Sequence, residues 1–121
     1  MKDQTKLKIN ILKDREVISE TTVKNIYIIE ETLTSFVANI EEMDTDSMFT
    51  HLAIALDRVE KNNQLTESNE IIKEQLMISG FYTEAEAILQ KASQKANVVF
   101  NEAESIMVLV HICTLLLQRG E

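Results

Sequence analysis

Apolar residues in this chain return every three or four positions, and almost nothing interrupts them. Proline is absent, and the two glycines stand at positions 80 and 120. A chain without helix breakers can carry long helices. The three-and-four-residue period marks helices with one buried face. Beta-branched residues are common, but the acidic blocks rich in Leu, Ile and Ala between them favour helix. With 121 residues the chain is long enough for one domain with a real core.

Residues 1–20 form an N-terminal segment. In it KLKINILK has the pattern of a short helix, with Leu7, Ile11 and Leu12 on one side, and DREVIS reads as a turn. From about 21 to 43, Val23, Ile26, Ile29, Leu33, Phe36, Val37 and Ile40 mark the first long helix. Asp44, Thr45, Asp46 and Ser47 offer capping oxygens to a second helix over about 47–61, with Met48, Leu52, Ala55, Leu56 and Val59 inward. Asn62 and Asn63 tolerate left-handed backbone and should stop it. After the polar QLTESN, a helix over about 69–79 carries Ile71, Ile72, Leu76 and Met77, and Gly80 ends it. Thr83 and Glu86 have the spacing of a capping box. The helix they open runs to about 96 and buries Ala85, Ile88, Leu89 and Ala92, with Asn97 as its stop. Val98 to Phe100 reads as an extended, buried connector. Asn101 and Glu104 repeat the capping spacing ahead of a last helix, to about 117, that buries Ile106, Leu109, Val110, Cys113 and Leu116. The expectation is an all-α fold: a compact bundle of five main helices over residues 21–118, with a short extra helix or extension over 1–20.

Charge and composition exclude several functions. A net charge of −8 is wrong for nucleic-acid backbone, which needs Lys and Arg to displace counterions. Two isolated glycines cannot build a phosphate-cradling loop. Cys113 is the only cysteine, so no internal disulfide forms, and a cytoplasmic location is the default. On the apolar stripe of the last helix, Cys113 reads as a small core residue rather than a nucleophile. No Glu-x-x-His spacing supports a metal site, and no cofactor is implied. The start, MKDQTKLKIN, lacks the apolar core of a signal peptide, and no apolar run approaches a membrane span. The six Phe and Tyr residues have no basic neighbours of the kind that stack bases.

The histidines remain. His51 opens HLAIALDR and stands seven residues before Arg58; His111 closes EAESIMVLVH and stands seven residues after Glu104. Seven helical positions come within about 20° of two full turns, so each histidine shares a face with one charged residue. The bland reading is a half-buried histidine donating a ring hydrogen to a carbonyl, with Glu104 as part of a cap, Arg58 paired with Asp57 or Glu60, and Asn69 as an N-cap.

These two stretches together resemble the phosphotransferase-system regulation domain (PRD) of bacterial sugar-responsive antiterminators and activators. The first signature is matched by His51-Leu-Ala-Ile-Ala-Leu-Asp-Arg58, the asparagine that ends the next loop by Asn69, and the second signature by Glu104-Ser-Ile-Met-Val-Leu-Val-His111-Ile112. The histidines lie sixty residues apart, and the resemblance covers about residues 20–118. Asn62 and Asn97 stand where the family often has glycine, Asn101 where it often has proline, and Ala103 where it often has aspartate.

The resemblance implies a regulatory phospho-receiver rather than an enzyme. His51 and His111 would accept a phosphoryl group from HPr or an enzyme II component. Arg58, Glu104 and Asn69 would support the phosphate or the histidines, or Arg58 and Glu104 would pair across helices. It also implies a homodimer switched by phosphate. The family's usual nucleic-acid-binding output domain has no counterpart in this sequence. The expectation is therefore a stand-alone domain, with a fragment of a longer protein as the alternative; the starting Met and the end, QRGE, favour the first. It signals to a protein partner, with no direct contact to nucleic acid or membrane. The alternative is a helical interaction module that is never phosphorylated.

Overall fold

The computed structural model describes residues 1–119, the Arg119 side chain excepted; the last two residues of QRGE lie outside the described residues. Six α-helices follow one another: α1 (Asp3–Asp14), α2 (Glu20–Phe36), α3 (Asp46–Glu60), α4 (Glu70–Ile78), α5 (Tyr82–Ala96) and α6 (Glu102–Arg119). A 3-10 turn, Ile40–Glu42, sits between α2 and α3, and the described residues contain no strand. The all-helical expectation holds; the structure has six α-helices, where five main ones and a short N-terminal helix or extension were expected. The N-terminal helix is three turns long and is packed into the bundle.

Helix α2 lies against α3 and α5, α5 against α6, and α6 against α3. Between them Ile26, Leu33, Phe49, Ile88 and Leu116 are almost fully buried, each contributing about 1.5–3 kcal/mol of burial. Helix α1 docks on α2 and α3 through Ile9, which is buried, and Leu12, which is half-buried. Leu7 and Ile11, expected beside Leu12, face outward instead. The reason is polar. Thr5 Oγ1 and Lys8 Nζ donate to the Asp46 carboxylate at 2.8 and 2.7 Å, which turns the Thr5–Ile9 face inward. Those two donors, Lys8 first, hold the Asp46 carboxyl below the usual carboxylate range. Asp46 is therefore engaged in docking α1, and Thr45 at the cap position of α3 makes no side-chain cap bond. The Met1 amino group pairs with Glu30 and Glu41.

Three further expectations fail for local reasons. Helix α2 stops at Phe36 rather than near Met43. In its last turns Thr32, Thr34 and Ser35 bond back to the carbonyls of Ile28, Glu30 and Thr32, and such hydroxyls bend and weaken a helix. Val37 then goes extended, so Val37 and Ile40 still reach the core while Phe36 is left 41% exposed. The Thr83–Glu86 box does not form, because α5 begins two residues earlier with Phe81 at the cap position; Glu86 faces the Tyr82 hydroxyl instead. The Val98–Phe100 connector is extended but not buried throughout, with Val99 80% exposed.

The asparagines behave as read. Asn62 and Asn97 take left-handed φ values of 55° and 56°. Asn69 caps α4 by accepting the Ile72 N–H at 3.1 Å. Within α4 only Leu76 is buried; Ile71 and Met77 face outward.

Candidate functional site: a two-rung ladder between α3 and α6

Helices α3 and α6 run antiparallel, and this is what joins the two motifs. Along α3 the order is His51 then Arg58; along α6 it is Glu104 then His111. Because the directions oppose, equal seven-residue spacings meet end to end. The His51 and His111 rings stack with centroids 5.1 Å apart at an interplanar angle of 30°. Two turns away, Arg58 Nε and Nη2 donate to Glu104 Oε2 and Oε1 at 2.6 and 2.8 Å.

The second rung is closed. Glu104 is 0% exposed, and its carboxylate accepts a third bond from the Leu65 N–H at 3.2 Å. Two guanidinium donors and one amide satisfy a buried anion that would otherwise be costly. The bonds to Glu104 raise the Arg58 pKa. Asn101 completes the arrangement. Its Oδ1 accepts the Glu104 N–H at 2.9 Å, its Nδ2 donates to the Leu65 carbonyl at 2.7 Å, and its backbone N–H donates to Gln64 Oε1 at 3.0 Å. The Asn101 cap expected from the sequence is present, but the return half of the box is not, since the Glu104 side chain goes to Arg58.

The first rung is open. Among the described residues neither imidazole makes a hydrogen bond, so neither donates to a carbonyl as the bland reading required. His51 is exposed and His111 half-buried. No buried side-chain nitrogen lacks a partner, so both His111 ring nitrogens keep contact with the surface. Burial first, and then the neighbouring His51, lower the His111 pKa. Its ring is therefore neutral, with a free lone pair, near pH 7.

Both rungs border one apolar cavity of about 70 Å³, floored by Leu33, Leu52, Leu89 and Ile112 and flanked by Leu65. His51, His111, Arg58 and Glu104 all line it; Asn69 does not, and its side chain serves as the α4 cap. Arg58 pairs with neither Asp57 nor Glu60. Asp57 holds Lys61 and the Ser19 N–H, and Glu60 takes the Ser19 and Thr22 hydroxyls. Gln64 and Leu65 were not legible as part of the site, because QLTESN carries no signal beyond that of a polar turn. Cys113 is buried in the core, which raises its thiol pKa. Among the described residues no three His, Cys, Asp or Glu side chains cluster as a metal site requires, and no helix is long and apolar enough to cross a membrane.

The bundle brings two histidines, an arginine and a glutamate to the border of one cavity. A family model described as PRD domain matches residues 26–114, about three-quarters of the chain, and the chain belongs to the PRD domain family. Domains of this family are regulatory rather than catalytic. No curated protein and no solved structure matches the chain. Helix α1 lies outside the matched residues.

Proposed function

We propose that the protein is a phospho-receiver of the sugar phosphotransferase system, acting in the cytoplasm on a protein partner in carbohydrate-responsive regulation. The observation that carries this reading is the open rung: two stacked imidazoles, free of hydrogen bonds, beside a cavity that also holds an arginine. The lone pair of a neutral ring nitrogen attacks the phosphorus of a phosphorylated donor, HPr or an enzyme II component. The new N–P bond forms as the bond from phosphorus to the donor's leaving atom breaks, and that atom keeps the electron pair. The second ring nitrogen retains its proton. Burial of His111 favours the nucleophilic form.

Each transfer adds about −1.5 to −2 charges. The surface of α6 suits a response to that change. From Ser105 to Gln118 the helix carries no Asp, Glu, Lys or Arg, although the chain as a whole is at −8. Met107, Thr114 and Leu117 are exposed along it, near His111. A charge-free strip is where an acidic chain can meet its own copy, and a phosphate there opposes the contact. The dimer is part of this proposal.

The test is incubation with phosphoenolpyruvate, enzyme I, HPr and enzyme II components, read by intact mass. An acid-labile gain of phosphate that disappears in the His51→Ala, His111→Ala double variant supports the reading. No gain with any donor, and unchanged regulation in the double variant, would leave only an unphosphorylated interaction module. Sedimentation before and after phosphorylation tests the dimer.

A further inference from the structure

The α3–α4 connection, residues 61–69, is held to the body of the protein in an unusual way. Its first residues continue the end of α3, where the Asn63 N–H reaches the Arg58 carbonyl at 2.8 Å. Beyond them the tethers sit at Gln64 and Leu65, and all go to Asn101 and Glu104. One of these, the Leu65 N–H, rests on the same carboxylate oxygen that accepts Arg58 Nε. Leu65 also flanks the cavity bordered by both histidines. One of the loop's three bonds to the start of α6 thus rests on a buried anion whose charge is neutralised by a residue facing the open rung, and the other two rest on Asn101.

We infer that this loop is a latch released by phosphate: a phosphoryl group on His51 or His111 draws Arg58 away from Glu104, and the loop lets go at Leu65. The inference rests on the phospho-receiver reading above. Helical side chains lean toward the N-terminus, so Arg58 leans along α3 toward His51, and His111 leans along α6 toward Glu104. The Cα positions of each pair are about 10.5 Å apart along the helix axis. A long arginine and a phosphorylated ring close that gap from both ends. A phosphate offers the same bidentate fork as a carboxylate, with three acceptor oxygens and about −1.5 to −2 charges in place of one. Arg58 is the member free to move, because its side chain is 29% exposed while Glu104 is fully enclosed.

Once Arg58 leaves, Glu104 keeps one of its three side-chain donors. A buried carboxylate in that condition takes up water or a proton. Asn101 fixes the Glu104 backbone, so the part that yields is the loop. Water takes the place of the Leu65 N–H at Glu104, while the two bonds to Asn101 keep Gln64 and Leu65 beside the bundle, and the cavity loosens at Leu65 beside the phosphorylated ring. A charge change on a ring becomes a change of surface that a partner can read.

Hydrogen exchange of the full chain, with and without phosphorylation, tests this. In the phosphorylated protein the Leu65 amide and the peptides covering 61–69 exchange roughly tenfold faster or more, while those of α2 and α5 do not change. Arg58→Lys keeps the charge but loses the fork. It shows fast loop exchange without phosphate and little further gain with it. Should Arg58→Lys fail to fold by circular dichroism, Asn101→Ser is the second variant, again with fast loop exchange before phosphorylation. Phosphate on the protein with an unchanged loop overturns the latch and leaves the phospho-receiver reading standing. An unchanged mass with every donor overturns both, and the mass measurement tells the two failures apart.

Discussion

The two rungs between α3 and α6 are built from the same spacing and have opposite characters. Arg58–Glu104 is saturated: buried, bidentate and reinforced by a loop amide and an asparagine cap. His51–His111 makes ring contact and nothing more. A bundle that needed only cohesion would fill both positions alike. The contrast shows one rung setting the register of the two helices so that the other can stay chemically vacant. Hydrogen bonds are concentrated in one rung, and the other leaves both rings unbonded.

Substitution at the closed rung gives the largest expected effect. Arg58→Ala leaves Glu104 buried and uncompensated and should cost about 3 kcal/mol, measured by urea unfolding. Asn101→Ala should cost about 1 kcal/mol, the usual value of a lost cap, with faster exchange of the Leu65 amide. His51→Ala and His111→Ala should each cost less than about 1 kcal/mol, since no hydrogen bond is lost; equal losses at both rungs would erase the contrast. A smaller effect lies in pH. Burial depresses the folded-state pKa of His111 below its ordinary value of 6.5. The unfolded chain therefore binds this proton more readily than the folded one. The stability it contributes is complete above pH 6.5 and is lost as pH falls through the depressed folded value. His111→Gln should flatten that segment of the stability–pH curve, and an unchanged slope would show that His111 is not its source. Least of all, Asn97→Gly should shift stability by only a few tenths of a kcal/mol, because either residue tolerates the left-handed φ there.

The sequence carried the elements better than their ends. Periodicity placed five of the helices, and asparagines marked four of the turns and caps, at Asn62, Asn69, Asn97 and Asn101, while Glu16 takes a left-handed φ and Ser19 caps α2 without having been marked. What it could not carry was competition for one side chain. Asp46 looks like a cap until α1 claims it, and Glu104 looks like half a capping box until Arg58 arrives from another helix. The hydroxyls of Thr32, Thr34 and Ser35 looked neutral inside a strong apolar pattern, yet they accompany the end of α2. The ladder shows the same limit. Seven-residue spacing is identical read in either direction, so only the antiparallel pairing of α3 and α6 reveals that histidine meets histidine and arginine meets glutamate. Leu65 and Gln64 carry no mark in the sequence, because their part in the site comes from where a loop lands.

The cavity beneath the rings has a mechanical consequence as well. Empty apolar volume of about 70 Å³ makes the histidine end the compressible end of the bundle, since pressure acts on internal void. Both imidazoles border that volume, whereas Thr5 and Ile9 on the face of α1 are almost fully buried. Under hydrostatic pressure the resonances of His51 and His111 should move before those of α1. Ala55→Val, which adds two methyl groups at the cavity wall, should stiffen that response and leave the charged rung as it is. The breathing of the fold is thereby directed to the histidine pair, the place of the proposed phosphoryl transfer.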